Sequence, residues 1–410
     1  MRLARMPHAL LCLILLGLMA GCGGTGAVVP DTNPDEAVSS VSARGRIITQ
    51  SLMATWSVDE LDTTLSAYSP ALSGIARYPI SVYKLVYETI DPSGNKTRAS
   101  GTLAVPQVSE LALPIASYQH ATAVMTTYAE RSGEVRIIPL ILASTGYVAV
   151  LPDYLGLGAS PGLHPYSHAH SLATAVVDMI RAARAFSVAD DIALNGQVFL
   201  LGYSEGGYAT MAAHRAIESD YADEITVTAS APMAGPYDLS GTMASVFLSD
   251  AENEHSYYLA YFLLAYNRVY HLADSLASIF TSEIAQALPI LFDGVHTSQE
   301  INAQLPLVPS DMLNPTFAEA LRRDPEHPLW RALAENDLYK WRPLAPMRLY
   351  HCSGDEQVPV ENSQKAYESM IAAGARAVDW VDLEVGGHVA CAGPSIYQAK
   401  LWFDSLESVK

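Results

Sequence analysis

One stretch limits what this chain can become more than any other: Gln197-Val-Phe-Leu-Leu-Gly202-Tyr203-Ser204-Glu205-Gly206-Gly207. An apolar run of strand length delivers a serine flanked two residues away on each side by glycine. Helical spacing of apolar residues follows at once over 208–217. A turn from strand to helix this tight leaves no room for side chains at the flanking positions, and glycine alone solves that. Ser204 is thereby pushed out at the strand's carboxyl end, where the N–H of Glu205 and the first turn of the helix can stabilise an oxyanion. The layout is that of a nucleophile elbow.

The pattern G-x-S-x-G recurs at Gly158-Ala159-Ser160-Pro161-Gly162. An acyl-transfer site uses the backbone N–H of the residue after the nucleophile, and Pro161 has none. Ser160 also lacks a strand before it and a helix after it, so it reads as a turn.

The chain opens on Met1-Arg2-Leu3-Ala4-Arg5, runs through an apolar segment over 9–18 and reaches Ala20-Gly21-Cys22. A basic start, a short apolar core and small residues before a cysteine predict a secretory signal over 1–21. Its ending resembles the bacterial lipobox, in which the cysteine, here Cys22, is lipidated and becomes the mature N-terminus. Met19 stands where that motif usually has Leu or Val. With Gly23 after the cysteine, the resemblance implies an envelope lipoprotein of the outer membrane. Residues 22–40, rich in Gly, Pro, Asp and Thr, read as a flexible tether. No further stretch reaches transmembrane length, so a lipid would be the only anchor. A formal charge of −19 with no basic cluster argues against nucleic acid or an anionic lipid surface as partner.

Residues 41–410 carry one large domain. The segments 80–90 and 97–105 alternate around Asp91-Pro92-Ser93-Gly94-Asn95, a hairpin signature. Short apolar runs at 113–118, 146–151, 198–203, 225–233, 347–351 and 378–385 read as strands buried on both faces. Helical spacings fall between them at 130–143, 171–186, 208–217 and 360–373, with 395–406 helical at the end and an N-terminal helix over 60–68 that follows a helical start near Ser51. Strands alternating with helices predict an α/β fold, a mainly parallel sheet with helices on both faces. From 242 to 344 the rhythm breaks into helix alone, including the aromatic Tyr257-Tyr258-Leu259-Ala260-Tyr261-Phe262. A plain crossover needs far fewer residues, so this interval reads as an inserted helical cap, with an aromatic surface suited to lining an acyl pocket.

A serine needs a base held by an acid. In a chain led by such an elbow, both partners come from loops after later strands. Asp355 follows the strand at 347–351, with Glu356 beside it as rival acid. Of twelve histidines only His388 lies beyond Asp355, and Gly386-Gly387 ahead of it suggests a loop able to bring an imidazole to a strand end. The second oxyanion donor is expected from the loop after 113–118, as the N–H of His120 or of Ala121. His164, His168 and His170 cluster before a helix but have no carboxylate or thiolate at ligand spacing, so loop packing is preferred to a metal site. Neither metal nor cofactor is expected. Cys12 leaves with the signal and Cys22 would be lipidated, which leaves Cys352 and Cys391 as an even pair, three residues before Asp355 and three after His388. If those two side chains meet, the cysteines lie on neighbouring loops and a disulfide is expected.

Five motifs together, Tyr118-Gln119-His120, Pro152-Asp153-Tyr154-Leu155-Gly156-Leu157-Gly158, His164-Pro165-Tyr166, Gly202–Gly207 and Gly354-Asp355-x-x-Val358-Pro359, are similar to those of the secretory-lipase and prolyl-oligopeptidase-like group of α/β-hydrolases, particularly bacterial relatives of fungal secretory lipases. Relatives usually have glycine after the Gln-His, where this chain has Ala121. The resemblance implies an α/β-hydrolase fold and serine chemistry. The leading expectation is a carboxylic-ester hydrolase, esterase or lipase, acting on a small-molecule or lipid ester through an acyl-serine. A serine peptidase of the prolyl-oligopeptidase type and a non-catalytic binding lipoprotein on a hydrolase scaffold are the alternatives.

Overall fold

The computed structural model describes residues 44–128, 132–384 and 386–408. The signal, Cys22 and the tether lie outside the described residues, as does Val385 at the end of the last predicted strand. Among the described residues no helix is long and apolar enough to cross a membrane.

The expected hairpin forms as β2 (Ile80–Ile90) and β3 (Lys96–Pro106). Asp91 closes it by accepting the N–H groups of Ser93 and Asn95 at 2.9 and 2.8 Å, standing in for a backbone acceptor in the turn. β1 (Ile47–Trp56) pairs antiparallel with β2 at the sheet edge. β4 (Leu113–Gln119), β5 (Val148–Pro152), β6 (Leu194–Tyr203), β7 (Ala229–Met233), β8 (Met347–His351) and β9 (Val378–Asp382) complete a nine-stranded sheet among the described residues, in the order β1-β2-β3-β5-β4-β6-β7-β8-β9. Every neighbouring pair from β5 to β9 is parallel.

The helices follow from the pattern of the strands. Along β6, Val198 and Leu200 pack with Val176 and Ile180, whereas Phe199, Leu201 and Tyr203 point the other way and pack with Ile141 and Phe403. Both faces of β6 are therefore apolar, and both must be covered. α1 (Val58–Tyr68), α2 (Gly133–Ser144) and the C-terminal helix contribute to one cover, and α3 (Ala169–Ala189) and α4 (Glu205–Asp220) to the other. α1 starts on Ser57, whose side chain and that of Glu60 exchange capping hydrogen bonds.

Between β7 and β8 the chain forms α5 (Ala244–Phe247), α6 (Tyr257–Tyr270), α7 (Ser282–Leu291), α8 (Ser298–Asn302), α9 (Pro315–Arg323) and α10 (Pro328–Glu335). Tyr261 donates its hydroxyl to the Ala123 carbonyl at 2.9 Å and Tyr266 to that of Ser167 at 3.0 Å. These bonds pin α6 to the loops after β4 and β5. α11 (Glu361–Ala372) and α12 (His388–Asp404) complete the fold.

Two expectations are corrected. The stretch around Ser51 is strand, not the start of a helix. β1 is an edge strand, exposed along most of its length, so it carries no alternation of apolar and polar residues. The last helix begins at His388 rather than near 395, so the histidine opens a helix instead of riding on a loop. Two preceding glycines and Pro394 within the second turn hide that start from a spacing argument.

Candidate active site

The carboxyl ends of β4, β6 and β8 converge, and the sequence-selected residues sit there. Ser204 links β6 to α4 with φ at 59°, a conformation that costs a non-glycine residue energy and is sustained only by its surroundings. The surroundings are close-fitting. A Cβ on Gly206 would run into the carbonyls of Gln119 and His120, and one on Gly202 into those of Gly206 and Gln119. The Ser204 N–H donates to the Met233 carbonyl at 2.9 Å, which ties the elbow to the end of β7.

His388 places Nε2 2.9 Å from Ser204 Oγ and Nδ1 2.6 Å from Asp355 Oδ2. All three residues are buried. Asp355 Oδ1 accepts the N–H groups of Val358 and Gln357 at 2.8 and 3.0 Å. Burial pushes the Asp355 carboxyl up, but hydrogen bonds from His351 and His388, the electrostatic attraction of the His388 ring and the Val358 N–H outweigh it and hold the group well below the ordinary carboxylate range. A carboxylate can only accept, so the His388 Nδ1 carries the proton and Nε2 is left as acceptor for the serine hydroxyl.

Three residues not singled out from the sequence shape this arrangement. His351, the last residue of β8, is buried with Nε2 3.1 Å from Asp355 Oδ2 and 2.9 Å from the Val358 carbonyl, and with Nδ1 2.8 Å from Ser363 Oγ. Glu134, in the first turn of α2, accepts from the Ala121 N–H at 3.2 Å and from the Tyr128 hydroxyl at 3.0 Å. Of the two candidate second oxyanion donors, Ala121 therefore has its N–H engaged. The ring of His120 stands 2.7 Å from the Ala121 carbonyl and 3.2 Å from that of Asp153. Tyr203 donates its hydroxyl to the His388 carbonyl at 2.6 Å.

Glu356, the rival acid, is used differently: its Oε2 accepts the His388 N–H at 2.9 Å. A carboxylate at a helix N-terminus is favoured by the dipole and by the unpaired N–H groups there. Ser160 is buried in a turn whose N–H donates to Leu157. His164 meets a carboxylate that spacing could not reveal, with Nε2 2.8 Å from Glu205 Oε1 across 41 residues of sequence. Its Nδ1 lies 2.7 Å from the Leu155 carbonyl, so the pair straps the loop after β5 to the elbow. Among the described residues no cluster of His, Cys, Asp and Glu is arranged to hold a metal ion.

Cys352 and Cys391 form a disulfide with Cα atoms 6.0 Å apart, joining the segment that carries Asp355 to the first turn of α12. The closed loop contributes about 3–4 kcal/mol by chain entropy. In a protein with Cys12 and Cys22 replaced by serine, thiol titration after denaturation without reductant is expected to find no free thiol. Reduction is expected to release two and to lower the melting temperature and the activity together. Two thiols before reduction would contradict the bridge.

Ser204 and His388 open onto a cavity of about 1220 Å³. Its walls come from α2, α12 and the turn after α1, with Tyr258 as the one contribution from the 242–344 interval. Of the aromatic segment 257–262, Tyr258 lines this space. Its rings are spent on each other and on the loops, as in the stacks of Tyr261 on Tyr166 and Phe262 on Tyr266, with centroids 4.6 and 3.9 Å apart.

The sheet, the strand–serine–helix elbow and the cavity beside it define an α/β-hydrolase. Residues 119–405 match the model of the secretory lipase family, and the chain belongs to that family, hydrolases of the esterase and lipase type. A Legionella pneumophila protein assigned as a hydrolase is similar over 88% of this chain and 98% of its own, at 27% identity and a TM-score of 0.82. The rice cell wall degrading esterase LipA from Xanthomonas oryzae is similar over 88% and 95%, at 30% identity and a TM-score of 0.75. Candida antarctica lipase A shares the fold, over 90% and 84%, at 17% identity and a TM-score of 0.67. A comparison with curated protein sequences finds no match. A secretory family implies an exported protein.

Proposed function

We propose that the protein is a serine carboxylic-ester hydrolase in which Ser204 is the nucleophile, His388 the general base and Asp355 the acid that orients it. The observation that carries this is the continuous relay from Ser204 Oγ through His388 to Asp355 Oδ2, with steps of 2.9 and 2.6 Å. Ser204 Oγ attacks the ester carbonyl carbon as its proton passes to His388 Nε2. The oxyanion is stabilised by the Glu205 N–H and the N-terminus of α4, with the His120 N–H as second donor. Ala121 can serve only if Glu134 releases it. Collapse expels the alcohol, which takes the proton from His388, and water activated by the same base frees the acid. The chemistry runs on side chains and backbone N–H groups, with no metal or cofactor called for.

The helices of 242–344 act as a cap that holds the loops around the elbow. Export is by the lipoprotein signal, with Cys22 lipidated and residues 22–40 tethering the domain to the envelope, in keeping with a secretory family. A panel of chromogenic esters run beside aminoacyl amides tests the reaction. Esters are expected to turn over and amides to stay at background, while efficient amide hydrolysis with inert esters would favour a peptidase.

A further inference from the structure

We propose that the acyl chain of the ester lies in the groove between α2 and α12, and that the enzyme selects long, unbranched acyl groups there. This rests on the reading of Ser204 as nucleophile. The residues of α2 that line the cavity recur at intervals of three and four from Glu134 to Thr145, while α12 lines it more broadly, from His388 to Asp404. Spacing by three and four is one face of a helix. On α2 that face is Ile137, Ile138 and Ile141, all buried; on α12 the lining includes Val389, Ile396 and Leu401. Both helices thus turn apolar side chains to one cavity, with Ile396 packed against the core cluster that holds the α2 isoleucines.

The exposure on α12 fits a face that awaits a ligand. Val389, Tyr397 and Leu401 are 76%, 44% and 44% exposed, although each lines the cavity. Isolated exposed apolar residues are ordinary, but a row of them ending at a nucleophile is not. The groove starts at His388, the first residue of α12, and ends where Lys400 pairs with Asp404 at 2.7 Å and the Tyr147 hydroxyl donates to Asp404 at 2.9 Å. From His388 to Lys400 the helix rises about 18 Å, the reach of roughly a dozen extended methylene groups. An ion pair at the far end is a poor neighbour for a hydrocarbon terminus, so it marks the length limit. A second cavity, of about 370 Å³ and bounded by residues of the inserted helices such as Ala244 and Leu248, does not reach Ser204.

Two measurements test this. Exposed Tyr397 is replaced by cysteine (Tyr397→Cys), and Ser204 is then phosphonylated with p-nitrophenyl phosphonates bearing a dodecyl or a methyl group. Ser204 Oγ forms the bond to phosphorus and p-nitrophenolate leaves. With the dodecyl chain in place, maleimide is expected to alkylate the new thiol at least ~10-fold more slowly than with the methyl group, because the chain covers it. Equal rates after complete phosphonylation would overturn the groove alone. Failure of Ser204 to take either phosphonate would overturn the nucleophile and the groove together. In the second measurement, Ile141→Trp and Ile396→Trp are expected to lower the ratio of kcat/KM for dodecanoate to that for butyrate by ~100-fold, since several methylenes lose their contacts. Leu248→Trp, in the separate cavity, should leave that ratio as it was. A ratio lowered by Leu248→Trp and untouched by the groove substitutions would place the chain under the inserted helices.

Discussion

Ser204→Ala is expected to lower kcat for ester hydrolysis by about 10⁶, to the residue that binding and oxyanion stabilisation sustain by themselves. The substitution removes the atom proposed to bond to the acyl carbon and leaves the rest of the constellation in place. Its backbone stays held by the Met233 carbonyl, so the protein should fold with an unchanged melting profile. Fluorophosphonate labelling should vanish with the activity. Ser160→Ala makes the contrast. Ser160 Oγ is buried without a hydrogen-bond partner among the described residues, and its turn is held by backbone bonds, so labelling and turnover should match the unaltered enzyme. Full labelling of Ser204→Ala would remove Ser204 from the mechanism.

Asp355→Asn is expected to cost about 10⁴ in kcat with little change in KM, by inverting the tautomer of His388. Asp355 has four donors around its two oxygens: Val358 and Gln357 N–H on Oδ1, His351 and His388 on Oδ2. An amide offers one oxygen and one NH₂, so one of these pairs must face a donor. If the oxygen stays with the two backbone N–H groups, the NH₂ points at His388 Nδ1 and makes it an acceptor. The proton then sits on Nε2, aimed at the serine whose proton it should receive. Stability follows the same carboxylate. Because its folded-state value is depressed, its contribution is fully present above about pH 4, the unfolded value, and is lost as pH falls through the lower folded value. The unaltered protein should therefore be the more stable at neutral pH, and the gap should narrow in acid. A gap that widened in acid, or a variant with normal kcat, would count against this account of Asp355.

Much of this was readable in the chain because the signals were local. A strand, two glycines and a helix in sequence announce the elbow, and Asp91 to Asn95 announces the hairpin. His388 stands out by elimination as the histidine beyond Asp355, yet its placement at a helix start is hidden by the glycines before it. What stayed hidden involves partners far apart. Glu205 looks like an ordinary first-turn acid until folding brings His164 to it, and Glu134 like a helix-start residue until it takes the Ala121 N–H. The α2 residues are readable as helix, but apolar spacing alone does not say that Ile137, Ile138 and Ile141 also line the cavity. β1 was missed for a related reason: an edge strand exposed along most of its length has no buried face to impose alternation.

The order of these parts along the chain has a consequence for synthesis. The proposed nucleophile is complete when the ribosome reaches α4, but the proposed acid and base come well over a hundred residues later, in the final segment, where the bridge between Cys352 and Cys391 also closes. The segment after α12 is itself tied back to the start of β6, with the Gln197 side chain donating to the Leu406 carbonyl at 3.0 Å and accepting from the Ser408 N–H at 2.9 Å. On the proposed triad, a nascent chain therefore carries its serine without acid or base until the final segment is made, and a product that stops before Asp355 and His388 has no base with which to attack an ester.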